Sequence, residues 1–509
     1  MRTPSSVGTR PRVERGVALD APRAAVETLA KHAKVGAIAL GRVRTRAQRE
    51  IHYDTPRGAL AEHGVSLRVI EREGIVVQRV EERRELVAGF FVRAVHEAPL
   101  ATAEPDLSRV GNGALTAQIR AACADVALVP MLELERHTAL RSAALETARL
   151  TLRCHVAEAR GDAASDSRGR IELASARGGL RVCFDAAHAL LSELPELRPA
   201  REDDAARVAR AVALEPAPSA STPLALPNRA GLAALVDAAL VHCWRSLDRS
   251  AAAARAPGDA ESVHQMRIAV RRFRTALRVL RDPISRERAT RLRAALGTLA
   301  EQLGAVRDFD VFLARLATCE ASRPPLEQLR RSAQRARSEA FDELAQLLDS
   351  PERAALDLEL GQLAFAGSWR GAATVTLDGS ATRAARAFVA RANRRARRAG
   401  DGFAQLAPDD RHRLRLRVKS ARYTAELLAP LLSAKRIRRT VRRARALQDA
   451  LGVECDARRA DAIMQQIALP EARDEAQFVL GYGAGETHGV RESCERAWRR
   501  FRRVSRSWR

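Results

Sequence analysis

The sequence has little of what marks a secreted, membrane-embedded or disulfide-stapled protein. Its seven cysteines (Cys123, Cys154, Cys183, Cys243, Cys319, Cys455, Cys494) are an odd number, scattered, with no C-x-x-C pair. Such spacing builds neither a disulfide frame nor a zinc site, and reads as small buried hydrophobes in a reducing compartment. No stretch approaches the roughly 18 to 20 uninterrupted apolar residues that a spanning helix needs. The opening MRTPSSVGTRPRVERG has no apolar signal region. A cytoplasmic protein without a membrane partner is expected. Aromatic residues are only 4% of the chain, which leaves few stacking platforms for nucleic-acid bases. Acid is also scarce: 62 Asp and Glu stand against 87 Lys and Arg, a net charge of +25, and such an excess calls for a polyanionic partner. With 46% hydrophobic residues in 509, the chain is neither disordered nor too small for sizeable cores.

The clearest break is EPAPSASTPLALPN, residues 215–228, whose four prolines exclude both regular helix and central strand. It separates a domain at 1–214 from one at 229–509. Residues 1–228 carry 33 basic and 29 acidic side chains, and residues 229–509 carry 54 and 33, so the second part holds +21 of the charge. The first part has a helical run near 21–32 and alternating runs, VSLRVIE, GIVVQRVEE, TLRCHVAEAR and GLRVCFD, that read as antiparallel strands. The second is built of Ala/Leu/Arg segments with apolar residues at helical spacing and should be all-helical. The fold class is therefore α+β: an antiparallel barrel-like domain followed by an all-α domain.

The helical part repeats itself without gaps at an offset of 148. His264, Arg267, Val270 and Arg274 match His412, Arg415, Val418 and Arg422, and Arg271 meets Lys419. Leu303-Gly304 matches Leu451-Gly452, and Asp308 matches Asp456. Two related helical bundles, about 229–370 and 380–509, are expected. At about 100° per residue, His264, Arg267, Arg271 and Arg274 share one face of a helix within roughly 80°. His412, Arg415, Lys419 and Arg422 form the equivalent stripe. An isolated Arg-rich helix is ordinarily a solvated face, but such faces mix signs at i,i+4. From His264 to Arg281 there are six Arg and no carboxylate, an arrangement suited to an anion. The two aspartates each follow a Leu-Gly pair, taken as a turn, and read as partners that orient the basic residues. Further cations cluster at Arg391–Gly400 and Lys435–Arg445, and Trp498, Phe501 and Trp508 should anchor the C-terminal segment.

AESVHQMRIAVRRFRTALRVL with LGAVRDFDVFLARL, and HRLRLRVKSARYTAELLAPLL with LQDALGVECDA, resemble the CHAD family, the conserved-histidine α-helical domains. The resemblance covers about 280 residues from Asn228 onward. It implies two four-helix bundles facing across a basic channel that binds inorganic polyphosphate, often at polyphosphate granules. The implied contacts are His264, Arg267, Arg271, Arg274, His412, Arg415, Lys419 and Arg422.

HYDTPRGALAEHGVSLRVIEREG, residues 52–74, is similar to the CYTH family, the triphosphate-tunnel fold often found in front of CHAD. An intact tunnel opens with an E-x-E-x-K strand whose carboxylates hold a divalent metal; here Arg12-Val13-Glu14-Arg15-Gly16 keeps one Glu. A paired-arginine strand becomes Arg68 and Ile70, a Q-T-L-K strand becomes Gln78-Arg79-Val80-Glu81, and an acidic position between Arg93 and Glu97 becomes Val95. Where later acids are expected stand Thr151 and His155, with Glu172 a survivor. The remnant tunnel set is thus Glu14, Arg68, Arg93, Glu97 and Glu172. Metal-assisted triphosphate hydrolysis needs several converging carboxylates and cations, so the expectation is a scaffold tunnel with no cofactor; Mg or Mn would enter only with an active triphosphatase. The expected function is polyphosphate binding, with inorganic triphosphatase activity and non-specific nucleic-acid binding as the alternatives.

Overall fold

The computed structural model describes residues 11–110, 113–124, 126–146, 148–160, 168–175, 179–212, 226, 230–255, 259–320, 326–370, 379–467, 470–487 and 490–508. Apart from Leu226, the proline-rich segment 215–228 lies outside them. Two compact units result, Met1–Ala220 with Asp349–Ser368, and Ser221–Leu348 with Trp369–Arg509.

Eight long strands form the barrel of the first unit: β1 (Arg12–Pro22), β2 (Arg44–Asp54), β3 (Val65–Arg72), β4 (Ile75–Val87), β5 (Phe90–Pro99), β6 (Val129–Ala144), β7 (Arg149–Ala159) and β8 (Arg168–Ser175). They pair antiparallel in the order β8-β7-β6-β2-β3-β4-β5-β1, and β1 pairs back onto β8 to close a barrel. Closure depends on Gly16, where β1 passes from β5 to β8; a Cβ there would lie 2.0 Å from the Leu173 carbonyl oxygen. The two-residue strand β9 (Arg198–Pro199) adds to the edge of β1.

Period-two alternation sorts the side chains with apolar residues outward. Val17 and Leu19 of β1, Leu150, Leu152 and Cys154 of β7, and Ile171 and Leu173 of β8 join one core with helices α1 (Arg23–Ala30) and α2 (Leu180–Glu193). The alternating partners, Glu14, Arg153, Arg170 and Glu172 among them, face the barrel interior. GLRVCFD, read above as a strand, begins α2. Its short alternation is outweighed by Cys183, Phe184, Ala187, Leu190 and Leu191, which continue at helical spacing and bury one face. Helix α3 (Asp204–Ala211), capped by the Asp203 side chain, buries Ala205, Val208 and Ala209 against β3.

The helical part comprises α4 (Leu232–Ala253), α5 (Ala260–Val279), α6 (Arg286–Glu320), α7 (Glu327–Leu348), α8 (Pro351–Phe365), α9 (Ala381–Ala399), α10 (Pro408–Leu427), α11 (Ala434–Ile467), α12 (Arg473–Thr487) and α13 (Val490–Ser505). The 148-residue offset survives in the boundaries: α5 maps onto α10 residue for residue, and α6 onto α11 to within one residue. In the first bundle α5 packs between α4 and α6 with α7 on α6; in the second α10 packs between α9 and α11 with α13 on α11. Trp498 and Phe501 of α13 are buried among Phe403, Leu414, Val418 and Leu447. Trp508 is buried too, its Nε1 donating to Thr440 Oγ1 at 2.9 Å.

Helix α8 lies within residues 229–509 yet belongs to the first unit. Ala354 and Leu358 enter the barrel's outer core, Phe365 stacks on Phe90 at 3.9 Å between ring centroids, and Arg201 donates to Asp357 at 2.7 Å. The Leu-Gly pairs read as turns are not turns. Leu303-Gly304 lies inside α6 and Leu451-Gly452 inside α11; a Cβ at Gly452 would sit 3.3 Å from Arg415 Nη2, whereas one at Gly304 would meet nothing within 4 Å.

Candidate functional site

Helix α5 starts cleanly because Asp259 caps it, accepting from the backbone of Glu261 and Ser262. It stays anchored by Val263, Met266, Val270, Phe273 and Leu277, all fully buried. Helix α10 has Pro408 in its first turn, two aspartates beside its N-terminus, and Leu414, Val418 and Ala421 as its buried face. Leu416, on another face of the helix, is exposed. With one face of each helix fixed in its bundle, the basic stripes converge.

They meet in a cavity of about 920 Å³. His264, Arg267, Arg271, His412, Arg415 and Lys419, six of the eight predicted contacts, line it. The other two do not. Arg274 lies a further turn down α5, near Gly297 of α6, and Arg422 stacks on the Tyr423 ring at 4.7 Å while pairing with Glu426 at 3.8 Å. An arc of 80° is shared by residues two turns apart, but a cavity is only so long; face does not fix depth.

Four arginines outside the predicted contact set complete the wall: Arg307 and Arg315 from α6, Arg458 and Arg459 from α11. The repeat could not reveal them. Their counterparts at 148 residues' distance are Cys455, Ile463, Asp310 and Val311, so the two halves contribute equal charge from different positions. The aspartates do pair symmetrically: Arg267 with Asp308 at 3.5 Å, and Arg415 with Asp456 at 3.6 Å. Asp308 also holds Arg459 at 2.8 Å, and Asp409 holds Arg458 at 3.3 Å.

Burial and the crowd of like charges make protons reluctant here. Burial first, then Arg307, depresses the His264 imidazole, whose Nδ1 has no hydrogen-bond partner among the described residues. Burial followed by Arg415 and Arg458 does the same to His412, whose Nδ1 lies 3.6 Å from Cys455 Sγ. Lys419 is pulled down to about 7 by burial and then Arg271, Arg415 and Arg267. Tyr423, another residue with no signal in the stripe pattern, accepts from Arg271 Nη1 at 3.4 Å across the junction of α5 and α10. Burial pushes its phenol up, but Arg271 and Arg422 together hold it below the ordinary value. Such a cavity gains most from a ligand that brings negative charge.

A second basic cluster lies at the other end of the same helices, where Arg278, Arg281, Arg391, Arg395 and Arg417 surround a recess of about 30 Å³. Arg278 donates to Ser420 there. Thus Arg391 and Arg395, from the cluster at Arg391–Gly400, face other arginines, not bulk solvent alone.

The polar interior of the barrel is organised differently. Glu14, Arg68, Arg93 and Glu172 do come together, but Glu97 stays at the exposed rim on Arg79. Arg93 reaches Glu14 at 2.8 Å and Glu172 at 2.7 Å, and Arg153 reaches the same two at 3.0 and 3.3 Å. Arg68 is held by Glu81 at 2.5 Å and by Asp204 at 2.7 Å; Asp204 also takes Arg136 and Arg170. Sequence reading missed Glu50 and Asp204, which lie outside the expected tunnel pattern; Glu81, read as replacing a tunnel lysine, joins the same network between Arg68, Arg79 and Arg93. Although burial opposes ionisation, the surrounding guanidiniums hold Glu14, Glu50, Glu172 and Asp204 below the usual carboxylate range. Guanidiniums stand between the carboxylates where a divalent cation would have to be, so these residues do not fit a metal. Among the described residues no group of three or more His, Cys, Asp or Glu is placed to hold one.

The two stripe-bearing helices and their ion pairs fall within a stretch of the chain that matches a known family. Residues 238–465 match the CHAD domain. Among solved structures, the CHAD region is similar to the CHAD domain from the plant Ricinus communis, at 26% identity over 58% of this chain and 98% of that one, with a TM-score of 0.49. PptA from Streptomyces chartreusis is 18% identical over 53% of this chain and 100% of that one, TM-score 0.42. The barrel is similar to a putative adenylyl cyclase from Hippeastrum described as having a dominant triphosphatase activity, 16% identical over 39% of this chain and 95% of that one, TM-score 0.26. No curated protein matches the sequence. Among the described residues, no helix is long and apolar enough to cross a membrane.

Proposed function

We propose that the CHAD region binds inorganic polyphosphate in the cavity between its two basic stripes, as a cytoplasmic protein that joins polyphosphate granules. The observation that carries this is the convergence of stripes from both halves of the repeat on one cavity of about 920 Å³, joined by four further arginines. Arginine forks match phosphate oxygens bidentately, and a repeated stripe suits a linear polymer of identical units. The cavity does not suit nucleic acid. Phe312 is the one aromatic ring in its described lining and is 1% exposed, so bases find no surface to stack on; RNA binding would be electrostatic and low-salt only.

The barrel serves this reading as a scaffold. Its interior cations are neutralised by its own carboxylates, and the metal-dependent triphosphatase alternative would have to break those pairs. Phosphate release from tripolyphosphate with Mg or Mn, lost in Glu14→Ala or Glu172→Ala, would restore that alternative.

The deciding experiment is a competition titration near physiological salt. Labelled long-chain polyphosphate is displaced by RNA or by tripolyphosphate, on wild type and on a variant with His264, Arg271, His412 and Lys419 all changed to Ala. Much tighter binding of polyphosphate than of RNA, lost in the folded variant, is expected. Equal competition by RNA with the variant unchanged would show a generic polyanion surface.

A further inference from the structure

Arginine supplies nearly all the cations of this chain, for only four of its 87 basic residues are lysines. Three of them, Lys31, Lys34 and Lys435, are exposed. The fourth, Lys419, lines the cavity at the position that the first half of the repeat fills with Arg271. A guanidinium would serve charge alone equally well, as every other cationic side chain of the wall apart from the two histidines shows. What a lysine adds is a primary amine, which can be neutral near physiological pH and can then act as a nucleophile. No ion pair or hydrogen bond engages its amine among the described residues. The charged groups facing it are Arg267 and Arg271 on α5, Arg415 on its own helix, and Asp456 on α11. Their balance, with burial, brings the amine to about 7, so a large share is unprotonated at neutral pH; an ordinary lysine is neutral there in only about one molecule in a thousand.

The guanidiniums of Arg267, Arg271 and Arg415 stand around this amine in the cavity wall. We propose that Lys419 is an acylation site fed by small acyl phosphates, whose phosphate group the neighbouring guanidiniums capture. This rests on the reading of the cavity as a phosphate site. The neutral amine attacks the carbonyl carbon of the bound acyl phosphate; the N–C bond forms and the C–O bond to phosphorus breaks. Orthophosphate leaves with the bonding pair and takes up the proton shed by the nitrogen, so an amine and an acyl phosphate become an amide and hydrogen phosphate. Capture places the carbonyl beside the nucleophile and converts a bimolecular encounter into an intramolecular one. The amide has no charge, so acylation deletes one cation from the second stripe and sets an acyl group next to Arg271. The cavity then binds polyanions more weakly, and a bound polyanion shields the amine from acylation.

The other three lysines are internal controls. The full-length protein is incubated at neutral pH with acetyl phosphate, and acetylation of all four lysines is followed by mass spectrometry. A parallel arm uses a phosphate-free acetyl donor, the N-hydroxysuccinimide ester, and a third adds long-chain polyphosphate. Acetyl phosphate should modify Lys419 at least about tenfold faster than Lys31, Lys34 or Lys435, with a smaller preference from the neutral ester. Equal rates at the four lysines, or the same preference from both donors, would overturn the proposal. Selective acetylation that polyphosphate does not slow would uphold the acylation site while refuting the polyphosphate reading.

Discussion

Aspartates line the cavity among its cations, and Asp308→Asn tests what they are for. Eight Arg and Lys side chains face the space, but Arg267, Arg307, Arg415, Arg458 and Arg459 are each held by an aspartate. If those pairs persist, at most about three cations neutralise phosphates without giving up an aspartate. At about 0.7 per contact on a flexible polyanion, the slope of log affinity against log salt is then about −2. Asp308 alone holds two of the five, Arg267 at 3.5 Å and Arg459 at 2.8 Å. Partly exposed pairs of this kind are worth about 0.5 kcal/mol each. Freeing both should tighten polyphosphate binding by about 1 kcal/mol, roughly fivefold, and steepen the slope to about −3.5. The assay is fluorescence anisotropy of labelled polyphosphate between about 50 and about 200 mM salt. A folded variant that binds more weakly, or with an unchanged slope, would refute the competition argument and make Asp308 an orienting partner of Arg267.

Other outcomes follow from the same geometry. Because His264, His412 and Lys419 are depressed in the empty cavity and a polyanion favours their charged forms, binding takes up protons; affinity should rise as pH falls from about 9 to about 6, with the uptake measured by calorimetry in buffers of different ionisation heat. Asp204→Ala leaves Arg68, Arg136 and Arg170 without their shared carboxylate and should cost about 3–5 kcal/mol of barrel stability, read by differential scanning calorimetry. The depressed carboxylates of the barrel favour the folded state above their unfolded value and lose that contribution as pH falls through about 4 and below, so acid should unfold the barrel progressively. A Cβ at Gly400 would lie 2.3 Å from the Trp498 ring; Gly400→Ala should cost about 1–3 kcal/mol with polyphosphate affinity kept in the folded fraction.

Reading by sequence succeeded where a residue's role is set by its own helix. The 148-residue repeat found α5 and α10 because apolar spacing and a basic stripe are local properties. It failed where partners come from elsewhere. Arg307, Arg315, Arg458 and Arg459 face the cavity from the third helix of each half, at positions the repeat does not share, and no local pattern marks them. Gly452 was visible but misread: glycine in a helical run suggests a break, yet here it makes room for the guanidinium of Arg415, a neighbour known only from packing. In the barrel, Glu14, Arg68, Arg93 and Glu172 were legible through a family pattern. Asp204 was not, since it arrives from a helix beyond the last long strand.

Helix α8 has a consequence for anyone who dissects or recombines this protein. The barrel's outer coat is completed by Ala354, Leu358 and Phe365, encoded some 130 residues beyond the proline-rich segment that looks like the natural cut. A fragment ending at that segment would leave Phe90 and the face of α2 uncovered, and the complementary fragment would carry an amphipathic helix stripped of its seat. Chain order and structural order are interleaved. Inheritance of one unit therefore constrains the other, and exchange between homologues has to move α8 with the barrel that it fits.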